Sequence, residues 1–383
     1  MRASSSSAGV IPAAEPYRVT FLASTLETGG AERMIREFAL RLDRRKYEPS
    51  VVCLNARGEV GEEISSRGVP VMSRIMRSKL DPLSLPRLRQ TLKKLATDLL
   101  FCLEHRDAIV LGTLASLGLV ERVFVAVHCT RLWGGRKSLG LTTRWSLRFV
   151  ERVLAVGENQ ASYLAQEEGV ARDKIAVVPN GIELSELDKM PSPTEVRRVL
   201  EIPADSSVIG IVAALRPEKN HELFLEAASL VLREIPDVHF VIIGGGKRMA
   251  LLENLATSLG IRDRVHFTGR RSDGRVLIQA FDVAVLCSHP VVETLPIFLM
   301  EAMALGKPVI STRVGDVSSL VEDGATGLLV PPGSREELRT AIIRLLRDRE
   351  LCVEMGRKGR EKVAKEFSLD RSVQVLERLI DRN

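Results

Sequence analysis

Aromatic side chains are scarce in this 383-residue chain, where Phe, Trp and Tyr make up 4% of the residues. Aromatic rings are the platforms on which proteins stack bases, so their scarcity argues against a surface built on stacked bases or sugars. Cysteine is also sparse, and no Cys-x-x-Cys pair occurs among Cys53, Cys102, Cys129, Cys287 and Cys352. Neither a disulfide framework nor a structural zinc site fits that spacing. We therefore expect a reduced, cytoplasmic protein.

Long hydrophobic runs are absent as well. The longest uncharged apolar stretch, Ala108 to Val120, has 13 residues between Asp107 and Glu121. A bilayer crossing needs about 20, so this stretch predicts a buried element. Residues 1–16 contain no hydrophobic core of a secretory signal, and we interpret them as a flexible polar leader.

Apolar residues, in contrast, are plentiful at 45%, and 27% of the residues are charged. That composition supplies enough apolar surface for large cores and excludes disorder for most of the chain. At about 150 residues per domain, the length corresponds to two or three domains.

Short apolar strands alternate with amphipathic helices along both halves of the chain. In the first half the pattern predicts strands at Tyr17–Ala23, Pro49–Asn55, Asp98–Cys102, Val123–Val127, Val153–Val156 and Ile175–Val178, with helices near Ala31–Asp43, Leu83–Leu95, Asp107–Leu117 and Asn159–Glu168. In the second half it predicts strands at Val208–Ala213, Val238–Ile243, Val265–Thr268, Val283–Leu286, Val309–Ser311 and Gly327–Val330, with helices near His221–Glu234, Lys247–Leu259, Gly274–Ala280, Pro296–Leu305 and Arg335–Asp348. This alternation is typical of parallel sheets built from βαβ units. The sequence therefore predicts an α/β fold with two doubly wound domains.

The junction between the domains is expected within Glu183–Pro203, where Met190-Pro-Ser-Pro193 interrupts regular structure. We accordingly divide the chain into the leader, a first domain over 17–188, a second domain over 189–355 and terminal helices over 356–383.

Positive charge is concentrated in the first half. Residues 71–152 hold 15 basic and 6 acidic side chains, although the net charge of the whole chain is only +6. Solvated helix faces explain such a run about as well as an anionic partner or membrane surface does. The segment Arg131–Arg152, which contains Trp133 and Trp145, is compatible with docking at lipid headgroups. Nucleic acid is the weaker choice because no binding module accompanies the charge.

Candidate binding residues cluster after the predicted strand Val283–Leu286. Glu293 falls in a loop, Pro296 is placed in the first turn of the next helix, and Glu301 follows eight residues after Glu293. The helix start offers the backbone N–H groups of Thr294 and Leu295 to a phosphate. Carboxylates on either side can accept hydrogen bonds from sugar hydroxyls, although two glutamates at this spacing also occur by chance.

The neighbouring sequence makes a family resemblance specific. The segment Glu293-Thr-Leu-Pro…Leu299-Met-Glu301-Ala-Met-Ala resembles the paired-glutamate signature of retaining glycosyltransferases of the two-Rossmann (GT-B) class, family four. Six further blocks resemble that family in the expected order: Gly29-Gly-Ala-Glu-Arg33, Val178-Pro-Asn-Gly-Ile182, Leu215-Arg-Pro-Glu-Lys-Asn220, Ile243-Gly-Gly-Gly246, Phe267-Thr-Gly269 and Gly324-Ala-Thr-Gly-Leu-Leu-Val-Pro-Pro332. The resemblance implies two Rossmann-like domains that face each other across a cleft and transfer a sugar, with retention, from a nucleoside diphosphate sugar.

The resemblance also assigns roles to the residues after the fourth strand of the second half. Glu301 would hold the ribose hydroxyls of the donor, and Glu293 would contact the hydroxyls of the donor sugar. The amides of Thr294 and Leu295 would hold the donor phosphates.

Two cations and one histidine complete the implied reaction site. Lys219 matches the lysine that neutralises the pyrophosphate. The usual arginine of the family falls at Ala214, and Arg216 lies two positions later, on the same face of an extended segment, so we assign it to the phosphates. His128 ends a strand where the family frequently carries a histidine near the donor sugar, and His105 is the weaker candidate.

Four glycines are the remaining candidates for donor binding. Gly29 and Gly30 follow the first strand and predict a loop beside the phosphates or the reacting sugar, because glycine lets the backbone approach a ligand. Gly245 and Gly269 belong to the resembling blocks. The Gly244–Gly246 run lacks the spacing of the dinucleotide fingerprint, and a plain tight turn explains it equally well.

Three hypotheses about function follow. The first is a glycosyltransferase of cell-surface glycan or glycolipid biosynthesis, acting on a glycan or lipid-linked acceptor at the inner membrane face. The second is a nucleotide-sugar epimerase or sugar-phosphate enzyme, and the third is a non-catalytic sugar-nucleotide-binding protein, favoured by the missing arginine at Ala214. No Asp-x-Asp motif occurs in the sequence, so neither a metal nor a resident cofactor is expected.

Overall fold

The computed structural model of the protein describes residues 15–27, 29–78, 81–103, 105–130, 139–185 and 187–381. Apart from Glu15 and Pro16, the predicted leader lies outside these residues. Among them, no helix combines the length and the hydropathy that a bilayer crossing requires.

The first half of the chain forms an all-parallel sheet. Its described strands lie in the order β3-β2-β1-β4-β5-β6-β7, with β1 Tyr17–Ala23, β2 Tyr47–Cys53, β3 Val71–Met72, β4 Leu99–Leu103, β5 Arg122–Ala126, β6 Arg152–Ala155 and β7 Ile175–Val177. The helices that connect them are α1 Gly30–Arg41, α2 Gly58–Ser66, α3 Ser84–Lys94, α4 Arg106–Ser116, α5 Leu141–Ser146 and α6 Glu158–Gln166. Each predicted strand of this half is present within two residues of its predicted limits.

Three elements of this half were not predicted from the sequence. The edge strand β3 has only two half-buried residues, too few to show a pattern. The helix α2 contains Gly58 and Gly61, and glycine is a poor helix former. The helix α5 is six residues long and exposes two apolar side chains, so its hydrophobic pattern does not mark a buried face.

The second half forms another all-parallel sheet, in the order β10-β9-β8-β11-β12-β13. Its strands are β8 Ser207–Val212, β9 Val238–Ile243, β10 Val265–Gly269, β11 Val283–Leu286, β12 Val309–Thr312 and β13 Gly327–Val330. Its helices are α7 Pro193–Val199, α8 His221–Glu234, α9 Met249–Ser258, α10 Gly274–Leu277, α11 Ile297–Ala304, α12 Val317–Leu320, α13 Arg335–Arg347 and α14 Arg349–Glu366. Three strands and α8 have the predicted limits, whereas the predicted helix Gly274–Ala280 divides into α10 and a 3₁₀ turn.

The segment between the two sheets contains a helix that the sequence did not predict. Ser192 caps α7 by accepting from the Glu195 amide, while the Glu195 carboxylate accepts from the amide of Ser192. This capping box turns the Pro-Ser-Pro segment, which predicted a break, into a helix start. The exact domain limits stay a prediction.

The last helix, α15 Leu369–Asp381, returns to the first sheet. Its buried stripe of Leu369, Val373, Leu376 and Ile380 joins the core that contains Phe21 of β1. The helix α14, in contrast, packs against α11 of the second sheet. The predicted terminal helices are therefore present, and they pack on different domains.

Several contacts hold the carboxyl ends of the two sheets against each other. Thr130, after β5, donates to the carbonyl of Val291, after β11, at 2.8 Å. Asn180 donates through Nδ2 to the carbonyl of Leu295 at 2.8 Å. In open parallel sheets, ligands bind beyond the carboxyl ends of the strands, so these contacts border the expected binding cleft.

Candidate active site

An ion pair between Lys219 and Glu293 lies at the centre of the candidate site. Lys219 ends a 3₁₀ turn after β8, Glu293 lies in the loop after β11, and Nζ is 2.5 Å from Oε2. The hydroxyl of Ser288 donates to the same carboxylate oxygen at 2.8 Å. Both side chains of the pair are largely buried, and a charge-assisted bond of this kind fixes the direction of the carboxylate. The structure thus brings together two residues that the sequence placed 74 positions apart.

Arg216 does not take part in this ion pair. Its side chain is 70% exposed, and its ion pair is with Glu218, at 3.9 Å. The structure therefore does not place it beside Glu293 within the described residues, and its contact with a phosphate stays a prediction. Ala214, where the family carries its usual arginine, is also exposed.

Thr294 and Leu295 lie directly before α11. Pro296 is the N-cap residue of that helix, and the helical residues begin at Ile297, so the prediction of Pro296 in the first turn was one position off. Within the described residues, the backbone N–H groups of Thr294 and Leu295 donate to no protein acceptor. Amides before a helix N-terminus, together with the helix dipole, form an anion site. The geometry is therefore suited to a phosphate.

Glu301 lies in α11 and is nearly buried, with 8% of its surface exposed. Burial raises the pKa of its carboxyl group, and the positive charges of Arg33 and Arg275 act in the opposite direction. Arg33 belongs to α1 of the first domain, and its Nη1 lies 3.6 Å from Oε1 of Glu301. The carboxylate is thus held inside the second domain by a cation from the first.

The glycines of the first loop bring α1 close to α11. Gly30 is the first residue of α1, and a Cβ atom there would lie 3.5 Å from the Ile297 side chain. A Cβ atom on Gly29 would lie 2.1 Å from the carboxylate of Glu32. Gly30 therefore lies against α11 of the second domain, and contact of this loop with the donor stays a prediction.

The glycines of the second domain differ in their surroundings. Gly244 has φ of +156°, and a Cβ atom there would lie 1.9 Å from the carbonyl oxygen of Ala213. A Cβ atom on Gly245 would meet Arg270 at 3.0 Å, whereas Gly269, with φ of +70°, has open space around it. The helix α9 begins only at Met249, so the Gly244–Gly246 run does not open that helix directly. Ligand contact by Gly245 and Gly269 stays a prediction.

His128 follows β5 and is half-buried. Its carbonyl oxygen accepts a hydrogen bond of 2.7 Å from the Thr294 hydroxyl. This bond joins the strand end of the first domain to the candidate phosphate loop of the second. His105 precedes α4, after the neighbouring strand β4, and no hydrogen bond or ion pair among the described residues joins it to that loop.

Two family models match consecutive parts of the chain. The model described as "Glycosyltransferase Family 4" matches residues 28–186, and the model described as "Glycosyl transferases group 1" matches residues 193–362. Together they span both domains in the order that the sequence blocks predict.

The chain belongs to the group 1 glycosyltransferases of family four.

Known proteins agree with this assignment. The chain is 26% identical to the "UDP-Gal:alpha-D-GlcNAc-diphosphoundecaprenol alpha-1,3-galactosyltransferase" of Escherichia coli over 90% of this chain and 91% of that protein. It is 29% identical to the "Putative glycosyltransferase EpsD" of Bacillus subtilis, over 78% of this chain and 81% of that protein. Anabaena Alr3699/HepE in complex with UDP and glucose superposes with a TM-score of 0.84, over 96% of this chain and 100% of that one, at 22% identity.

These similarities confirm the predicted GT-B fold, with two Rossmann-like domains, and the glycosyltransferase class. They give no support to an epimerase or to a non-catalytic sugar-nucleotide-binding protein. Among the described residues, no group of three or more His, Cys, Asp or Glu side chains is arranged to hold a metal ion.

The glycosyltransferase also has site residues that the sequence did not single out. Ser288 orients Glu293, Asn180 holds the carbonyl of Leu295, and Arg33 faces Glu301. Arg33 and Asn180 lie inside two of the blocks that resemble the family, and Ser288 lies two residues after β11. Membership in a block and position after a strand were therefore the available signals, but neither says which side chain crosses the cleft.

Proposed function

We propose that this glycosyltransferase moves a sugar from a UDP-sugar to an acceptor hydroxyl, with retention of the anomeric configuration. The observation that carries the proposal is the grouping of the Lys219–Glu293 pair, the free amides of Thr294 and Leu295, and the buried Glu301. UDP is favoured because Anabaena Alr3699/HepE is known in complex with UDP-glucose and the Escherichia coli relative is named for UDP-Gal.

The reaction requires stabilisation of a departing diphosphate and of an oxocarbenium-like sugar. Lys219 and the two amides supply positive charge at fixed positions, where little reorganisation is needed as negative charge develops. Glu293 is directed toward the sugar hydroxyls by its bonds to Lys219 and Ser288. His128 would contact the donor sugar from the first domain. With these groups in place, we propose that the transfer needs no metal ion or other cofactor.

Glu301→Ala tests the donor site directly. We expect the variant to lose most of its affinity for the nucleotide that the wild type binds best among UDP, GDP, ADP and CMP, because two ribose hydroxyls lose their acceptor. The measurement is the shift of the melting temperature with nucleotide, since a ligand at 100 times its Kd adds about 2.7 kcal/mol of stability.

The matched control is Glu350→Ala, which removes an exposed glutamate from the first turn of α14. It should keep the wild-type shift. Undiminished affinity of Glu301→Ala for every nucleotide would overturn the proposed donor site. The anomeric configuration of the product, read by NMR, decides between retention and inversion.

We further propose that the acceptor is a glycan or a lipid-linked glycan of cell-surface polysaccharide or glycolipid biosynthesis. The diphosphoundecaprenol acceptor in the name of the Escherichia coli relative supports a lipid-linked substrate. Because an enzyme acting on such a substrate works at a membrane surface, we propose that this protein acts at the inner face of the membrane.

An exposed apolar stripe of α5 and the 3₁₀ turn after it supports membrane docking. Leu141, Trp145 and Phe149 are 83%, 45% and 46% exposed. A spacing of four residues places Leu141 and Trp145 on one side of α5, and the rings of Trp145 and Phe149 lie 5.1 Å apart. Arg144 and Arg148 flank the stripe, and neither forms an ion pair within the described residues. Apolar side chains beside unpaired cations fit the interface of an anionic bilayer. The first part of the predicted docking segment, 131–138, lies outside the described residues.

Flotation with vesicles tests the docking surface. Wild-type protein should float with phosphatidylglycerol vesicles more than with phosphatidylcholine vesicles, and less at high salt, because salt screens the cations. The double variant Leu141→Ser/Trp145→Ser should lose most of the bound fraction. Val199→Ser/Val353→Ser removes two exposed apolar side chains of the second domain and should float like wild type. Equal flotation of both double variants, or no effect of salt, would overturn the docking surface.

A further inference from the structure

Asp316 is a buried carboxylate of the second domain whose partners lie in the first. It follows β12 and is 1% exposed. Its Oδ1 accepts from the amide of Asn159 at 2.8 Å, and its Oδ2 accepts from the amide of Gln160 at 3.0 Å. Asn159 and Gln160 belong to the first turn of α6. A side chain of one domain therefore caps a helix of the other.

The helix α6 has no cap of its own. Its N-cap residue is Gly157, which has no side chain to accept a hydrogen bond. A Cβ atom at Gly157 would lie 2.2 Å from the carboxyl carbon of Asp316. The backbone at Gly157 is extended, a conformation that any residue adopts, so it is the close approach of Asp316 that requires glycine here.

Asp316 is also joined to the candidate phosphate loop of its own domain. Its amide donates to the carbonyl of Thr294 at 2.9 Å. The preceding residue, Gly315, has φ of +50°, and a Cβ atom there would lie 2.3 Å from the carbonyl oxygen of Glu293. The position of Asp316 and the position of the Glu293–Leu295 loop are therefore fixed together.

On the side of the first domain, the same cap reaches the end of β5. The amide group of the Gln160 side chain donates to the carbonyls of Val127 and Cys129, at 2.8 and 3.3 Å. These two residues flank His128, whose own carbonyl accepts from the Thr294 hydroxyl. Hydrogen bonds thus link Asp316 to α6, α6 to the residues around His128, and His128 to Thr294. The bond from the Asp316 amide to the Thr294 carbonyl closes the ring.

We propose that Asp316 is a positioning residue that holds the two domains together and sets His128 at its working distance from the donor loop. The catalytic part rests on the proposed function, and the domain contact does not depend on it. Asp316 touches neither Glu301 nor Lys219 in the described contacts, so it acts on the reaction only through the closed arrangement of the domains.

The variant Asp316→Ala tests whether Asp316 positions the domains for the reaction without taking part in donor binding. We expect a fall of kcat on the order of 10- to 100-fold, since a misplacement of about 1 Å can cost that much. The Kd for UDP should stay within about threefold of wild type, because the groups assigned to the donor remain in the second domain. Small-angle X-ray scattering without ligand should give a larger radius of gyration, because the domains lose a buried contact.

Gly157→Ala provides an independent way to break the same contact, since the added methyl group displaces the Asp316 carboxylate. It should reproduce both effects, and the double variant should lose no more than either single variant, because the two changes remove one interaction. Asp316→Asn, which keeps one acceptor oxygen, should lie between wild type and Asp316→Ala.

Asp348→Ala is the matched control. Asp348 also caps a helix with its carboxylate, accepting from the Leu351 amide at 2.9 Å, but both residues belong to the second domain. This variant should keep the wild-type kcat and radius of gyration. A folded Asp316→Ala or Asp316→Asn protein with a wild-type radius of gyration would overturn the domain contact. An enlarged radius with unchanged kcat would overturn the catalytic part, and an inactive wild type would refute only the proposed function.

Discussion

Glu293 and Glu301 belong to one sequence motif, yet they lie in different surroundings. Glu293 is bound directly by Lys219 and Ser288, at 2.5 and 2.8 Å. Glu301 is buried, its pKa is raised by burial, and its cation Arg33 lies farther away, at 3.6 Å. Burial disfavours the ionised form of a carboxyl group, and at Glu301 only the charges of Arg33 and Arg275 oppose that effect. At the scale of single residues, the two carboxylates therefore differ in their partners: Glu293 is bonded directly to two side chains, whereas Glu301 faces a more distant cation.

The buried residue His221, beside the candidate site, should make the free energy of unfolding depend on pH. His221 is fully buried at the start of α8, and burial, followed by the charges of Lys219 and Arg248, lowers its pKa to about 4. Between pH 6.5 and 4 the unfolded chain binds a proton that the folded chain does not, so acid favours unfolding. From pH 7 to 5 this effect should remove about 2 kcal/mol. Urea unfolding of wild type and of His221→Leu at both pH values measures it.

In His221→Leu, the loss of stability between pH 7 and 5 should be smaller by that amount. Leu225→Val, a buried change in the same helix, serves as the control. It should lower the free energy of unfolding by about 1 kcal/mol at both pH values. The same pH dependence in His221→Leu and wild type would contradict the prediction.

At the scale of helices and strands, the hydrophobic pattern indicates where an element lies and which face is buried, whereas the packing shows what covers that face. The strands β9, β11 and β13 have the predicted limits because strands covered on both faces are nearly continuous apolar runs. The helix α15 was also predicted as part of the terminal helices. Its stripe of Leu369, Val373, Leu376 and Ile380 predicts a buried face, but the pattern does not say which sheet covers that face.

The structure predicts that α15 stabilises the first domain. Leu376 is fully buried in the core that contains Phe21, so Leu376→Ala should lower the free energy of unfolding by about 2–5 kcal/mol. Urea unfolding measures this change. In limited proteolysis of Leu376→Ala, the first domain should be cut earlier than the second. Gln374→Ala changes an exposed residue of the same helix and should alter stability by less than about 0.5 kcal/mol. Earlier cleavage of the second domain would refute the assignment.

At the scale of the whole molecule, the two domains share charges as well as hydrogen bonds. Arg33 from the first domain faces the buried Glu301, and Arg270 from the second pairs with Glu59 of the first at 3.1 Å. Exposed pairs contribute only up to about 1 kcal/mol, whereas a cation beside a buried carboxylate changes its ionisation. The contact between the domains is therefore coupled to the charge of Glu301, which we propose as a donor-binding residue.

Arg33→Met should make nucleotide binding more sensitive to acid. Removing Arg33 takes away a charge that lowers the pKa of Glu301, so that pKa rises further and the carboxylate is lost at a higher pH. The Kd for UDP, measured from pH 5 to 8, should therefore begin to increase at a higher pH than in the wild type.

Arg36→Met is the control for that experiment. Arg36 lies on the same helix, but its partners Glu37 and Glu63 belong to the first domain. Its pH profile of binding should match that of wild type. If Arg33→Met also matches, Arg33 does not influence the ionisation of Glu301.

Much of the candidate site was accessible from sequence because its residues follow strands. Glu293, Glu301 and Lys219 lie in segments that resemble family blocks, and that resemblance implies their contacts with phosphates and sugars; the structure places Glu293 against Lys219. Asp316 and Gly157 could not be found in this way. A single aspartate after a strand and a single glycine before a helix carry no spacing signal, because their relation exists only across the cleft.

The amino-acid sequence by itself determined the two doubly wound sheets and the residue types that follow their strands. Both depend on local properties, namely the hydrophobic period of each element and the residue types in each loop. Only the tertiary structure decided that α15 covers the first sheet, that Arg33 faces Glu301, and that Asp316 caps α6. These contacts join segments more than 150 residues apart, and no local pattern specifies which of many compatible surfaces will meet.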